Sequence, residues 1–310
     1  MLVEVDTQTY RRYFPTDPHP FVSELFVELN KWKVDRVIRL TDDINKPVIG
    51  LIAGVKDGLV QTPFSAPFGG FHFHKDNIYI HEIDTFINSL KSYILTNGLR
   101  RIELTLPPDV YHINFNAKTV NALIRAGFNM SIPDITCWVN LLHFNGVFTQ
   151  KNTRKYYDQS LRYGLSFSTT SDLSERRKIY DLICENRTRF GRPIYMTFED
   201  LIKTSTLWPV DFFRVLGGTG EIIASAIFYQ NHPDICYGVF WGDTETGRSL
   251  RAMDYLTFNL WSYYKSLGFK YMDLGISTES GIPNEGLLRF KESHEGISSL
   301  RYRFWWDAQK

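Results

Sequence analysis

Cysteine is scarce and scattered: Cys137, Cys184 and Cys236 are odd in number and far apart. That spacing excludes a disulfide framework and offers no paired zinc ligands. An excess of one charge is also missing. The 35 Lys and Arg are balanced by 34 Asp and Glu, a formal net charge of +1. Such a balance argues against a protein that lives on bulk attraction to nucleic acid. No apolar run approaches the ~18 residues that a membrane helix needs. The opening MLVEVDTQTYRRYF has no apolar signal core. A soluble, reduced, cytoplasmic protein without a membrane span is therefore expected, and the sequon at Asn186 then carries no meaning. Low-complexity segments are absent, and no Ser or Cys stands in a nucleophile motif.

What is present is a large apolar content in two similar halves. The 310 residues are 43% hydrophobic and 15% aromatic, more than one core usually holds. In the first half VDRVIRLT (34–41), PVIGLIAGV (47–55) and LVQTPFS (59–65) read as strands. IDTFINSLKSYILTNG (83–98) places Ile83, Phe86, Ile87, Leu90, Tyr93 and Ile94 at helical spacing and ends on Asn97–Gly98, a good left-handed terminus. LRRIELTLP (99–107) is a strand, NAKTVNALIRAGF (116–128) a helix and DITCWVNLL (134–142) a last strand. The second half repeats the order. Strands 211–216, 222–229 and 235–242 precede a helix at 250–268, a strand at 269–277, a short helix at 284–296 and a strand at 298–306. INSLKSYILTNGLRRIELTL aligns with TFNLWSYYKSLGFKYMDLGI. A repeat of about 150 residues exceeds any solenoid unit and points to duplication of a domain, residues 1–150 and 151–310. The second opens on a basic segment: residues 151–192 hold ten Lys and Arg against five Asp and Glu.

Several side chains suit chemistry. Asp273 ends a predicted central strand just before Gly275, where a carboxylate serves as a general base for an amine or as a structural acceptor. Arg289, Lys291 and Glu292 cluster in LLRFKES, with Phe290 as the expected buried face. A cationic pair beside a carboxylate suits an oxyanion or phosphate, or a solvated helix face. Arg189, Arg192 and Tyr195 suit an anion clamp or a helix C-terminus. His72 and His74 share one side of a strand, but no third ligand completes a metal site, so none is assigned.

Four segments carry a family resemblance across most of the chain. SAPFGGF (65–71), NTRKYYDQSLRYGLSF (152–167), ENRTRFGRPIY (185–195) and GLLRFKESHEG (286–296) fall in the order and spacing of similar segments in the FemABX family, the peptidoglycan-bridge aminoacyl transferases. The element order, with RAGF before a last strand, resembles the GNAT acyltransferase fold. The resemblance implies an α/β (α+β) protein of two tandem GNAT-like domains, each a mainly antiparallel sheet flanked by helices. It implies transfer of an acyl or aminoacyl group to an amine of a cell-envelope precursor or related metabolite. No tightly bound cofactor is implied; acyl-coenzyme A or aminoacyl-tRNA is the donor substrate. Ser65, Phe68, Gly69, Gly70 and Phe71 then line an acceptor groove, the other reading being a strand-end turn between two core aromatics. Arg289 joins Arg189, Arg192 and Tyr195 in substrate binding, and Asp273, Lys291 and Glu292 take catalytic roles.

The sequence departs from the GNAT pattern at GRSLRAMD (247–254). There a Gln/Arg-x-x-Gly-x-Gly/Ala turn holds the coenzyme A pyrophosphate on backbone N–H groups. Arg248 keeps the first position, but Arg251 and Met253 replace the small residues, so weak or absent coenzyme A binding is expected. The alternative function is a binding protein that keeps the duplicated fold without catalysis. A groove filled by its own aromatic side chains favours that alternative; an open groove favours transfer.

Overall fold

The computed structural model describes residues 1–75 and 77–308. The chain divides into two compact units, Met1–Ile135 with Thr278–Ile282 and Ser299–Lys310, and Thr136–Ser277 with Pro283–Ser298. Each has a mixed sheet flanked by helices, the α/β class and tandem organisation the repeat predicts.

In the first unit the strand order is Val3–Glu4, Arg36–Thr41, Ile49–Lys56, Leu59–Thr62, Arg101–Thr105, Arg303–Asp307, Asn129–Met130. Phe71–Phe73 pairs separately with Ile49–Lys56. Leu59–Thr62 and Arg101–Thr105 run parallel, while the other pairs are antiparallel. Helix Ile80–Thr96 buries the six predicted side chains, Ile83 through Ile94, against Ile38, Leu40, Leu51 and Leu104 of the sheet. Each such burial is worth roughly 1.5–3 kcal/mol. The helix starts where the Glu82 carboxylate accepts the Tyr79 backbone N–H at 2.7 Å, and ends before Gly98 at φ 65°.

In the second sheet the order is Gly296–Arg301, Asp134–Asn140, Tyr271–Ile276, Ile235–Asp243, Ile222–Tyr229, Val210–Leu216, Ser166–Thr169. The pattern repeats that of the first. Tyr271–Ile276 runs parallel to Ile235–Asp243 on one side and antiparallel to Asp134–Asn140 on the other. Arg101–Thr105 has the same kinds of neighbour in the first sheet, so the two strands matched by the repeat occupy equivalent central places. Helix Ala252–Ser266 buries Leu256, Leu260, Trp261 and Tyr264 against Phe213, Phe228 and Met272.

The strand membership corrects the domain boundary. The repeat assigns 134–142 to the first domain and 298–306, as one strand, to the second. Instead Asp134–Asn140 pairs with Tyr271–Ile276 in the second sheet. The C-terminal segment is two strands, Gly296–Arg301 and Arg303–Asp307, and the latter pairs with Arg101–Thr105 in the first sheet. Each half thus contributes a strand to the sheet of the other. Alternating apolar residues specify a strand and its buried face but not the sheet that receives it. For that reason the repeat alone cannot mark this exchange.

Candidate functional site

The second unit opens where its two parallel central strands part. Ile235–Asp243 and Tyr271–Ile276 pair only at Ile235 with Tyr271, Cys236 with Met272 and Tyr237 with Asp273. Beyond that point Tyr271–Ile276 turns. The Asp273 carboxylate accepts the Gly275 backbone N–H at 2.7 Å, and Gly275 takes φ 69°, which glycine adopts without penalty. The turn leaves the carbonyls of Gly275 and Ile276 facing the short helix Glu285–Ser293. Lys291 of that helix donates to both, at 2.9 and 2.8 Å.

Lys291 is only 1% exposed, and Asp273 likewise. Burial pushes the Lys291 ammonium down to about 8; Cys137 and Asp273 oppose the shift and Arg187 adds to it. With two N–H groups committed to carbonyls, the remaining valence of Nζ holds either a proton or a lone pair. Lys291 lines a cavity of about 130 Å³ with Tyr237, Gly238, Leu274 and Gly275. Phe290, the expected buried residue of this helix, is instead half-buried, and Lys291 takes the interior position.

A larger cavity of about 600 Å³ adjoins it and shares Arg187, Trp241 and Leu287 as wall residues. Four arginines line it: Arg187, Arg192, Arg248 and Arg251. Arg187 closes helix Leu173–Arg189 and donates through Nε to the Arg192 carbonyl at 3.3 Å. Arg248 reaches Asp243 at 3.2 Å and lies 5.4 Å over the Phe190 ring. Arg251 precedes helix Ala252–Ser266 at φ 59°, and its guanidinium sits 4.0 Å over Tyr156. The turn thus keeps the left-handed conformation that a glycine would supply, with the side chain folded onto an aromatic face. Among the described residues, neither Arg192 nor Arg251 forms an ion pair with a carboxylate. Asn186 donates to the Asp243 carbonyl and carboxylate at 2.6 and 3.0 Å, holding that wall in place. A Cβ on Gly242 would come within 3.0 Å of Asn186, so this wall is closely packed.

The predicted residues therefore separate. Arg192, Arg248, Arg251 and Lys291 line the two cavities, and Asp273 shapes the turn beside Lys291. Arg289 and Glu292 are exposed; Glu292 accepts from Ser298 at 2.9 Å, and neither lines a cavity described here. Arg189 does not line the cavity itself but backs its wall, donating to the Asp243 carbonyl at 3.4 Å and pairing with Glu245 at 3.6 Å, while Tyr195 is 92% exposed and outside the wall. Arg187 and Asn186 carry no prediction of their own. Their signal was nonetheless present: Ile179 and Ile183 are buried, and a step of three or four residues places Asn186 and Arg187 on the same face. A polar pair that continues an apolar stripe toward a sheet is a candidate wall of a site.

The SAPFGGF segment is packed within the first unit. Phe68 is 1% exposed, its ring 4.9 Å from those of His19 and Tyr111 and 5.1 Å from Phe21. A Cβ on Gly69 would sit 2.7 Å from the Pro63 backbone nitrogen and 2.5 Å from Thr62 Oγ1. Gly70 has φ 114°, with Pro107 3.2 Å from where a Cβ would lie. Phe71 is in the core, and Ser65 accepts from Lys33 at 2.6 Å while donating to Asn30 at 2.9 Å. His72 contacts Tyr10 at 2.9 Å and Asp17 at 3.2 Å, whereas His74 faces the Tyr13 carbonyl at 3.0 Å.

No protein-family model matches this chain, and no curated protein matches it in sequence. Solved structures do. FemX aligns over 99% of this chain and 97% of its own, at 12% identity and a TM-score of 0.69. The C-terminal domain of a putative lysylphosphatidylglycerol synthetase from Agrobacterium fabrum covers 98% and is itself covered over 92%, at 10% identity and 0.58. A tandem GNAT protein from the clavulanic acid biosynthesis pathway aligns over 100% and 99%, at 10% identity and 0.57. The chain has the tandem GNAT fold, of the kind FemX displays. No helix among the described residues is long and apolar enough to cross a membrane.

Proposed function

We propose that this protein transfers an acyl or aminoacyl group from a phosphate-bearing carrier to an amine, with the donor held in the second unit. One observation carries the reading. A cavity of about 600 Å³ is lined by four arginines, two without a carboxylate partner among the described residues, next to the buried ammonium of Lys291. Guanidinium forks suit phosphate oxygens, and the volume lies within the usual range for ligand sites. The cavity is open rather than filled by its own aromatic side chains, which favours transfer over a non-catalytic binding protein that keeps the duplicated fold.

In such a transfer the deprotonated amine attacks the donor carbonyl, forming the C–N bond and an oxyanion. The oxyanion collapses as the C–S or C–O bond to the carrier breaks, and the amine proton leaves with the departing group or to water. No covalent enzyme intermediate is required. Lys291, anchored on two carbonyls, supplies positive charge to the oxyanion, and the arginines hold the carrier phosphates. Acyl-coenzyme A and aminoacyl-tRNA both carry the required phosphates. A cell-envelope precursor as acceptor accords with FemX and the lysylphosphatidylglycerol synthetase domain among the proteins of this fold.

Calorimetric titration with coenzyme A, inorganic pyrophosphate and tRNA tests the donor, followed by turnover with labelled acetyl-coenzyme A and charged tRNA. Saturable binding of at least one probe, weakened by salt, is expected. Binding without turnover on either donor would select the binding-protein alternative. No binding of any probe would remove the donor assignment.

A further inference from the structure

We infer that His294 is a positioning residue that neutralises Asp254 in the wall of the arginine cavity and so sets the cavity's affinity for anions. The inference rests on the donor reading above and adds a residue that reading does not use.

Asp254 lies in the first turn of helix Ala252–Ser266 and lines the cavity beside Arg251 and Met253. A lone carboxylate there would oppose a phosphate. It does not stand alone: its Oδ1 is 3.1 Å from His294 Nε2. The other ring nitrogen, Nδ1, is 2.7 Å from the Phe290 carbonyl, which can only accept. The Ser293 hydroxyl, 3.1 Å from Nδ1, donates to the same carbonyl at 2.9 Å, so Nδ1 carries its own proton toward that carbonyl, and a second proton must lie between Nε2 and Oδ1 for that contact to be a hydrogen bond. Whichever atom holds the second proton, the pair has no net charge.

The surroundings fix this arrangement. His294 is 3% and Asp254 8% exposed. The imidazole is flanked by the rings of Phe148 at 5.2 Å and Phe290 at 4.1 Å. Its backbone carbonyl accepts from Trp261 Nε1 at 3.0 Å, and the preceding Ser293 carbonyl accepts from Thr153 at 2.9 Å. Lys291, one turn earlier, points its ammonium at Gly275 and Ile276 instead. Removing the ring without removing the carboxylate would thus leave a negative charge in the wall of an anion site.

The test is pyrophosphate binding by calorimetry to the full chain at low salt. His294→Gln is expected to weaken binding about tenfold, as one uncompensated charge at cavity distance predicts, and the loss should shrink in high salt. The double variant Asp254→Asn/His294→Gln should recover the affinity, because the uncompensated charge is gone. If the pair merely cross-links two helices, the double variant will stay as weak as the single one, and that result overturns the inference. Should His294→Gln fail to fold by circular dichroism, Asp254→Asn decides: it must bind pyrophosphate at least as tightly as the parent, and weaker binding overturns the inference. A parent protein that binds no pyrophosphate sinks the donor reading and this inference with it. A parent that binds while His294→Gln binds equally well sinks this inference alone.

Discussion

A buried ammonium decides what the second unit can do. Lys291 has a folded value of about 8 against 10.5 for the free side chain. Between those values the unfolded chain holds the proton more tightly, so the stability this residue withholds below pH 8 is regained as pH rises toward 10.5. Below pH 8 the penalty is roughly 3 kcal/mol. Lys291→Met removes it but leaves the Gly275 and Ile276 carbonyls without their donor, at about 1–3 kcal/mol each. The two effects offset, so the melting temperature should move by only a few degrees while turnover falls by about a hundredfold or more. In the parent, turnover should decline as pH rises through about 8, because the proton is what stabilises the oxyanion. A rate that climbs through that pH would instead make Lys291 a base. LLRFKES marked Lys291, but Phe290 was the natural choice for the interior; sequence alone does not reveal two carbonyls waiting for a donor. Gly70 was legible as a turn, and its φ of 114° explains why. Gly70→Val should lower stability by about 1–3 kcal/mol and leave both pyrophosphate binding and turnover per folded molecule intact. Lost turnover in a protein that still melts cooperatively and still binds pyrophosphate would place SAPFGGF in the acceptor groove.

At the scale of elements, the entry to helix Ala252–Ser266 carries the same tension between fold and ligand. A non-glycine residue in the left-handed region costs about 1–2 kcal/mol, and Arg251 occupies it at φ 59°. Stacking on Tyr156 returns part of that, about 0.5–1 kcal/mol. Arg251→Gly relieves the backbone and loses the stack, so thermal stability should change little. Anion affinity should nevertheless fall about tenfold, because a guanidinium with no carboxylate partner is removed from the wall. Equal binding by this variant would show that the residue serves only the turn. The helices themselves were legible from their apolar period: the helix read at 83–98 runs Ile80–Thr96 and buries all six side chains that the period marks. The cavity was legible only in fragments. Arg192, Arg248 and Arg251 stand in marked segments, but Arg192 is far in sequence from the other two. Asn186 and Arg248 both bond to Asp243 at the end of strand Ile235–Asp243, and only that junction brings the two segments to one cavity.

For the whole chain, the repeat identified duplication and the central strands but misplaced the boundary. Asp134–Asn140 is a strand of the second sheet, next to Tyr271–Ile276, and Arg303–Asp307 is a strand of the first, next to Arg101–Thr105. A cut at the repeat boundary therefore removes an interior strand from each sheet rather than separating two finished domains. Residues 1–150 expressed alone would lack the partner of Arg101–Thr105 and with it Phe304, a side chain fully enclosed in the intact first core. Residues 151–310 alone would lack Cys137, Val139 and Leu141, all fully buried in the second core. Three such side chains are together worth roughly 4–9 kcal/mol on burial, comparable to the whole stability of a domain. Each piece should thus show little tertiary structure and no cooperative melt by near-ultraviolet circular dichroism. Mixed together before refolding, the two should recover a cooperative transition, since each supplies the strand the other sheet needs. If either piece melts cooperatively by itself, the exchanged strand is not needed by that sheet and the boundary belongs where the repeat first placed it.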